Sequence, residues 1–416
     1  MPLTSLEIWA AAIAVIASMA APRLLLPALG VMAGFWLVRW RAWGQFTVRT
    51  QLDGGNAVLA LMLPITLWAT SRPDITLPQV LRLLTGIGFY YAIVNWAAGE
   101  HHPAKQGDTN LQPRERSRWL FRGTVVAGIG LALFALVSVE WLFYKLPFLS
   151  ADLYSRFFLL VADRVHPNVL AGSLVMVLPV ILGVLLFGVR QLRGYQGWGL
   201  AAAVVGMGIV LLLTQSRGAL LALGAVLVVL AGMRWRWTWA AALLAAVVGG
   251  LVYMLGGSPM PLDALFPAPA GIEARLEIWS RALWLIRDFP LTGVGMGMFG
   301  TAVDLLYPFT MTAPGNVPHA HNLFLQIGVD LGLPGMLAWV FNLSMVFAAA
   351  FRVFRFGRLR QDGWMAGLGA GLLGSQIALV VHGSMDAVVW GMVRSAPLVW
   401  GLWGVVIAVR QVETGG

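Results

Sequence analysis

The sequence contains no cysteine and few charged residues. The absence of cysteine from its 416 residues excludes disulfides, thiolate metal sites and a cysteine nucleophile. Only 11% of the residues are charged, whereas about 25% are charged in an average soluble domain. Lysine is also rare, since Lys105 and Lys145 are the only two among 28 cationic residues. This shortage of charge, together with a hydrophobic content of 59%, argues against a soluble globular enzyme.

Apolar runs recur along the whole chain instead, and about 20 such residues suffice to span a bilayer. They predict an all-α, polytopic integral membrane protein, with residues 1–416 as a single transmembrane domain of about 12 helices. The first three spans have the least defined limits, because prolines bound or interrupt them. The predicted spans cover residues 6–22, 24–39, 56–71, 78–98, 119–142, 168–188, 198–214, 218–233, 237–256, 333–351, 364–388 and 396–410.

The cations are distributed unevenly between the two sides of these spans. By the positive-inside rule, the richer side and both termini are expected in the cytoplasm, so residues 143–167 and 257–332 form long outward loops. The net charge of +10 therefore reflects orientation and does not indicate nucleic-acid binding. The richer side holds 17 of the 28 cations: Arg39, Arg41, Arg49, Lys105, Arg114, Arg116, Arg118, Arg122, Arg190, Arg193, Arg234, Arg236, Arg352, Arg355, Arg358, Arg360 and Arg410.

The longer outward loop contains a predicted amphipathic helix, Gly271–Asp288, which would lie on the membrane or on the helix bundle. Arg275 flanks its apolar stripe and is expected to point toward the helix bundle. Glu277 and Arg281 lie four residues apart on the other face, a spacing typical of a solvated salt bridge. The stripe itself consists of Ile272, Leu276, Trp279, Leu283 and Ile286.

Two further arginines lie at the outward ends of spans. Arg217 follows the tight turn Thr214–Ser216 at a helix start, where the free amides favour an anion; a snorkelling arginine is the alternative. Arg164 precedes the sixth span, where a loop pair with Asp163 is equally compatible with the sequence. Arg164, Arg217 and Arg275 could converge on one phosphate group, because guanidinium groups bind phosphate in bidentate fashion.

The histidines supply candidate bases. His319 and His321 precede a predicted helix that begins near Asn322, and a helix start disfavours imidazolium, so a histidine there tends to stay neutral. No third ligand is evident beside this His-x-His pair, so we expect no metal. His382 and Asp386 lie four apart on one predicted helix face, either as a buried structural pair or as groups that line the acceptor side.

Together these segments resemble the O-antigen ligase and polymerase superfamily. His321-Asn322, nine residues, Gly332, two residues and Gly335 match its H-N-x9-G-x-x-G pattern. The turn that ends in Arg217, His166-Pro167-Asn168 and the stretch from Arg275 to Gly295 follow in the expected order around residues 155–390. Many relatives have N-P-N where this chain has His166-Pro167-Asn168, which leaves that contact open.

The resemblance implies a GT-C-like glycosyltransferase of the bacterial inner membrane whose active site faces the periplasm. Such enzymes transfer a glycan from undecaprenyl diphosphate to lipid A-core (ligases) or to another lipid-linked glycan (polymerases). It implies His321 as general base, Arg217, Arg275 and Arg164 at the diphosphate, and His319 and Asn322 as substrate-binding residues. No metal or other cofactor is expected, because arginines supply the positive charge for the leaving group.

Two other functions are compatible with the sequence. Some relatives have been proposed to transport inorganic carbon, but a transporter needs ionisable groups at the midplane of broken helices. In this sequence such groups gather at outward helix ends. A non-catalytic scaffold or flippase-like partner of glycan assembly is the other alternative, and it would not require His321.

Overall fold

The computed structural model describes residues 3–99, 113–139, 141, 165–254, 272–310, 317–387, 389–391 and 393–414. All named elements in these ranges are helical, in agreement with the predicted all-α class. Arg164 and much of both predicted outward loops lie outside the described residues. The α-helices in chain order are α1 (Leu3–Ala20), α2 (Leu25–Trp43), α3 (Asp53–Ala69), α4 (Pro73–Ala98), α5 (Pro113–Ser138), α6 (Pro167–Gly188), α7 (Gly194–Leu213), α8 (Arg217–Arg234), α9 (Trp237–Met254), α10 (Ile272–Asp288), α11 (Phe299–Leu306), α12 (Leu323–Leu359), α13 (Gly363–Gly383) and α14 (Pro397–Thr414).

Nine helices of the described part are long and apolar enough to cross a membrane, namely α1, α2, α4–α8, α12 and α13. Helices α9 and α14 contain shorter apolar stretches, and α3 has 17 residues. The chain is therefore a polytopic membrane protein, while the count of 12 spans stays a prediction.

The long helices run alternately between two ends of the bundle. At one end, Arg114 in the first turn of α5 contacts Asp362, the residue before α13, at 3.4 Å. At the other end, Asn168 in the first turn of α6 bonds to Asp386, which follows α13. We call these the arginine end and the histidine end, because His319 and His321 belong to the second. The candidate site lies at the histidine end.

Helices α6 and α13 pack closely through glycines. A Cβ on Gly183 would lie 2.4 Å from both the Gly367 oxygen and the Gly371 nitrogen, so only glycine fits there. Membrane helices associate through such small residues, because lipid removes the hydrophobic drive between them. This contact brings the start of α6 beside the end of α13, where the site is built.

The backbone conformation at Gly332 explains why the H-N-x9-G-x-x-G pattern has its first glycine there. Its φ of 69° interrupts the helical geometry of α12, and a Cβ there would lie 2.7 Å from the Pro290 carbonyl oxygen. The Leu333 amide donates to that same oxygen at 2.7 Å. The kink therefore separates residues 323–331 from the predicted span 333–351 and lets the 290–295 segment pack against them.

Helix α10 forms as predicted. It packs on the protein through Ala274, Ile278, Ala282, Leu285 and Ile286, which are buried. Of the predicted apolar stripe, Ile286 is thus buried, whereas Leu276 and Leu283 are 56% and 55% exposed on the protein surface.

One expectation about α10, the solvated salt bridge, is wrong. Glu277 and Arg281 do pair at 3.1 Å, yet their side chains are only 9% and 12% exposed. Thr310 donates to Glu277 through its amide at 2.8 Å and its hydroxyl at 2.7 Å. The pair is buried because the segment after α11 folds over it.

Candidate active site

The site starts from the turn that leads into α12. Asn322 caps this helix, since its Oδ1 accepts hydrogen bonds from the amides of Phe324 and Leu325 at 3.0 and 3.1 Å. Its Nδ2 donates to the Ser384 carbonyl at 3.3 Å. The oxygen and the nitrogen of the Asn322 side-chain amide are thus both bonded to backbone groups. These bonds hold the turn that contains His321.

His321 occupies an uncommon backbone conformation in this turn. Its φ of 47° lies in the left-handed region, which non-glycine residues adopt only where the surroundings hold them. The cap at Asn322 and a hydrogen bond from the His321 amide to the His319 Nδ1, at 3.2 Å, supply that support. The two imidazole rings lie 4.1 Å apart.

Asp386 faces both histidines. Its Oδ1 lies 3.4 Å from the His321 Nδ1 and 3.7 Å from the His319 Nδ1. The expectation that Asp386 shares a helix face with His382 is wrong, because α13 ends at Gly383 and Asp386 lies in the following turn. That turn directs the carboxylate to the histidines, whereas His382 remains buried in the last turn of α13.

Asn168 belongs to the site, although the sequence predicted no role for it. Its Nδ2 donates to the Asp386 Oδ2 at 3.0 Å, and its amide donates to the His166 Nδ1 at 3.2 Å. The first contact leaves Oδ1 of Asp386 for the histidines. The His166-Pro167-Asn168 motif was the feature of the sequence that could have indicated a role for Asn168. Its partner, Asp386, is identified only by the packing of α6 on α13.

The buried environment keeps His319 neutral. Burial, together with the neighbouring charge of His321, lowers the pKa of the His319 imidazole from 6.5 to about 4. Its Nδ1 accepts a hydrogen bond from the backbone, which requires that nitrogen to be unprotonated. His319 is therefore a neutral neighbour of His321 at physiological pH.

Asp386 stays ionised in the same environment. Burial by itself would raise the pKa of its carboxyl, but the hydrogen bond from His321 and the charges of the neighbouring histidines outweigh burial, so the pKa is lowered. Because His319 is neutral near pH 7, the hydrogen bond from His321 is the cause that counts there. The result is a carboxylate whose Oδ1 lies 3.4 Å from the His321 Nδ1.

Two of the three predicted phosphate arginines lie on helices that contact Met385. The Arg275 Nη1 donates to the Met385 carbonyl at 2.8 Å, so Arg275 points toward the bundle as expected. Arg217 begins α8, and a Cβ on the next residue, Gly218, would lie 3.3 Å from the Met385 side chain. The preceding Gln215 has a left-handed φ of 52°, which forms the tight turn into α8. The structure thus brings the elements of Arg217 and Arg275 together one residue from Asp386.

Asp330 is a second residue that the sequence reasoning missed. This fully buried carboxylate accepts hydrogen bonds from the Gly297 amide at 3.1 Å, the Gln326 Nε2 at 2.8 Å and the Trp390 Nε1 at 2.8 Å. Gln326 in turn accepts from the Ala320 amide at 2.8 Å. Asp330 therefore ties together the three segments around the site, and a carboxylate inside the H-N-x9-G-x-x-G motif was the available signal.

The structure also supplies the third group that a metal site would need. One donor atom each from His319, His321 and Asp386 lie within 4.8 Å of one another. Two histidines and a carboxylate are a known zinc-binding set. The same three groups equally form a hydrogen-bonded base, so the expectation of a metal-free site remains a prediction.

Comparison with known families gives one result for the middle of the chain. A family model described as O-antigen ligase matches residues 202–340. The matched range contains Arg217, Arg275 and His321, whereas Asn168 and Asp386 lie outside it. No curated protein matches the chain.

Proposed function

We propose that this chain, in which residues 202–340 match a family model described as O-antigen ligase, is a membrane glycosyltransferase of the O-antigen ligase and polymerase superfamily. It moves a glycan from undecaprenyl diphosphate to a hydroxyl of lipid A-core. The observation that carries the proposal is the contact between the His321 Nδ1 and Asp386, 3.4 Å long, beside the elements of Arg217 and Arg275.

His321 is the general base of the proposed reaction. With its Nδ1 proton held by Asp386, its Nε2 takes the proton from the acceptor hydroxyl. The oxygen then attacks the anomeric carbon from the side opposite the diphosphate, which inverts the configuration. The bond between the anomeric carbon and the phosphate oxygen breaks, and its electron pair leaves with undecaprenyl diphosphate. Such base catalysis contributes about 10²–10⁴ in rate.

Arg217 and Arg275 stabilise the leaving diphosphate. Negative charge grows on the phosphate oxygen as the bond breaks, and fixed cations in a partly dry site offset it without reorganisation. The free amides at the start of α8 add to this field. We extend the same role to Arg164, and assign His319 and Asn322 to the support of His321.

The reaction needs no metal in this proposal, because the arginines provide the positive charge. Chelation with EDTA should leave transfer unchanged. Loss of activity with EDTA and recovery with Mg²⁺ or Zn²⁺ would instead make His319, His321 and Asp386 metal ligands.

The histidine end faces the periplasm in this proposal, and both termini are cytoplasmic. The supporting observation is the cation bias, since Arg114, Arg190 and Arg358 lie near the opposite end of the bundle. A GT-C-like arrangement of the helices belongs to the proposal as well.

The decisive test uses purified protein in vesicles with a lipid-diphosphate glycan and lipid A-core. His321→Ala should abolish transfer while insertion and thermal melting stay normal, whereas near-normal activity would refute the assignment. Arg217→Lys keeps the charge but loses the bidentate geometry, so its transfer should be strongly reduced. A single transfer product indicates a ligase; a ladder of lengthened lipid-linked glycans would indicate a polymerase that uses the same chemistry.

A further inference from the structure

The contact between His321 and Asp386 joins two turns that are far apart in the chain. His321 lies in the turn before α12, and Asp386 lies in the turn after α13. Neither residue belongs to a helix, so the 3.4 Å separation of their side chains depends on the groups that fix one turn relative to the other. This separation matters for catalysis, because a misplacement of about 1 Å between reacting groups can cost about 100-fold in rate.

Three buried side chains connect these two turns. The Asp330 Oδ1 accepts a hydrogen bond from the Gln326 Nε2, and its Oδ2 accepts one from the Trp390 Nε1, each at 2.8 Å. Gln326 and Asp330 are 0% exposed and Trp390 is 2% exposed, so bulk water does not compete for these bonds. Hydrogen bonds to a carboxylate are also stronger than those between neutral groups. We call Gln326, Asp330 and Trp390 the carboxylate bridge, which joins α12 to the segment after α13.

At one end, the carboxylate bridge holds the turn that contains the base. The Gln326 Oε1 accepts a hydrogen bond from the Ala320 amide at 2.8 Å, and Ala320 is the fully buried residue between His319 and His321. His321 has a left-handed φ of 47°, a conformation that persists only where the surroundings hold it. Gln326 therefore fixes the backbone one residue before the base.

At the other end, the carboxylate bridge holds the turn that contains Asp386. The Trp390 amide donates to the Ala387 carbonyl at 3.3 Å, and the Ala387 amide donates to the Asp386 Oδ1 at 2.9 Å. The same Asp386 oxygen lies 3.4 Å from the His321 Nδ1. A shift of Trp390 would therefore pass through Ala387 to the oxygen that faces the base.

We propose that the carboxylate bridge positions Asp386 against His321, with Trp390 as the residue that sets the place of the carboxylate. This inference rests on the proposed function, because it concerns the rate of glycan transfer. The residues of the bridge are positioning residues, which act through the Ala320 and Ala387 backbone groups and take no part in proton transfer. Loss of the bridge lowers kcat and leaves the KM for donor and acceptor unchanged.

W390F tests the bridge, because phenylalanine keeps an aromatic ring in the core but cannot donate to Asp330. In vesicles with saturating donor and acceptor, kcat should fall by about ten-fold, and both KM values should stay unchanged. Q326M removes the other bond to Asp330 and is the second variant if W390F does not fold; it should show the same effect on kcat. A raised KM at unchanged kcat would overturn the proposal, because the bridge would then serve substrate binding.

The decisive measurement repeats W390F in a D386N background, which has no carboxylate to position. There W390F should change kcat by less than about two-fold, because two changes that act through one contact are not additive. An equal loss of kcat in both backgrounds would overturn the proposal, since Trp390 would then act on the fold in general.

W403F is the matched control. The Trp403 Nε1 donates to the Gln376 Oε1 at 3.0 Å, and both side chains are 0% exposed. W403F therefore removes the same kind of buried bond, but from the packing of α14 on α13 and away from the two turns. Its kcat should equal that of wild type. A loss of kcat as large as that of W390F would overturn the positioning role.

Two further measurements separate this inference from the proposed function. A cryo-electron microscopy structure of W390F without substrate should show a longer distance between the His321 Nδ1 and Asp386, and an unchanged distance would refute the positioning role. Wild type and H321A are assayed beside W390F. If wild type is active and H321A is inactive, full kcat in W390F refutes the positioning role alone; wild-type activity in H321A refutes the proposed function as well.

Discussion

The contact between Asp386 and His321 predicts how much the carboxylate contributes to catalysis. In Asp386→Asn the shape is retained, but the negative charge that stabilises the imidazolium during transfer is lost. At 3.4 Å and an effective dielectric constant of about 20, two unit charges attract by about 5 kcal/mol. The His321 side chain is 33% exposed, so screening by water leaves about 2–3 kcal/mol. The variant should therefore lose about 30- to 150-fold in kcat.

The assay is single-turnover transfer in vesicles, at saturating donor and acceptor, beside a melting curve for each variant. Asp74→Asn is the matched control, because Asp74 is an exposed carboxylate paired with Arg72 at the same end of the bundle. We expect the control to have wild-type rates. A loss below about three-fold in Asp386→Asn, in a preparation where His321→Ala is inactive, would refute the stabilising role of the carboxylate.

Three further predictions concern stability and pH. Asp330→Ala leaves three buried donors unmatched and should lower the free energy of unfolding by about 3–5 kcal/mol, whereas Asp330→Asn, which retains one acceptor, should cost less in the same denaturation assay. Burial lowers the pKa of His319 to about 4 in the folded protein, from 6.5 in the unfolded chain. The unfolded chain therefore binds more protons between these values, and stability falls as the pH drops from about 6.5 to 4. In His319→Asn this part of the slope should vanish in pH-dependent melting, and an unchanged slope would contradict the assignment. Gly332→Ala forces a Cβ to within 2.7 Å of the Pro290 oxygen at a φ of 69°, so it should melt well below wild type, whereas Gly34→Ala, which meets open space, should not.

The sequence by itself determined the class of molecule, an all-α membrane protein. Apolar runs depend on one segment at a time, so they predicted helices that the structure contains, such as α6 and α8. The sequence also predicted that a helix begins near Asn322, because a helix start and its cap are local features. For the same reason Arg275 could be assigned to the inner side of α10.

Only the tertiary structure decided which residues meet. Asp386 contacts His321 because α13 ends three residues before Asp386 and because α6 packs against α13. The spacing of apolar residues in the sequence predicts neither of these features. The burial of the Glu277–Arg281 pair likewise depends on a distant segment that covers it. Such contacts depend on the packing of several helices at once, whereas sequence patterns report one helix at a time.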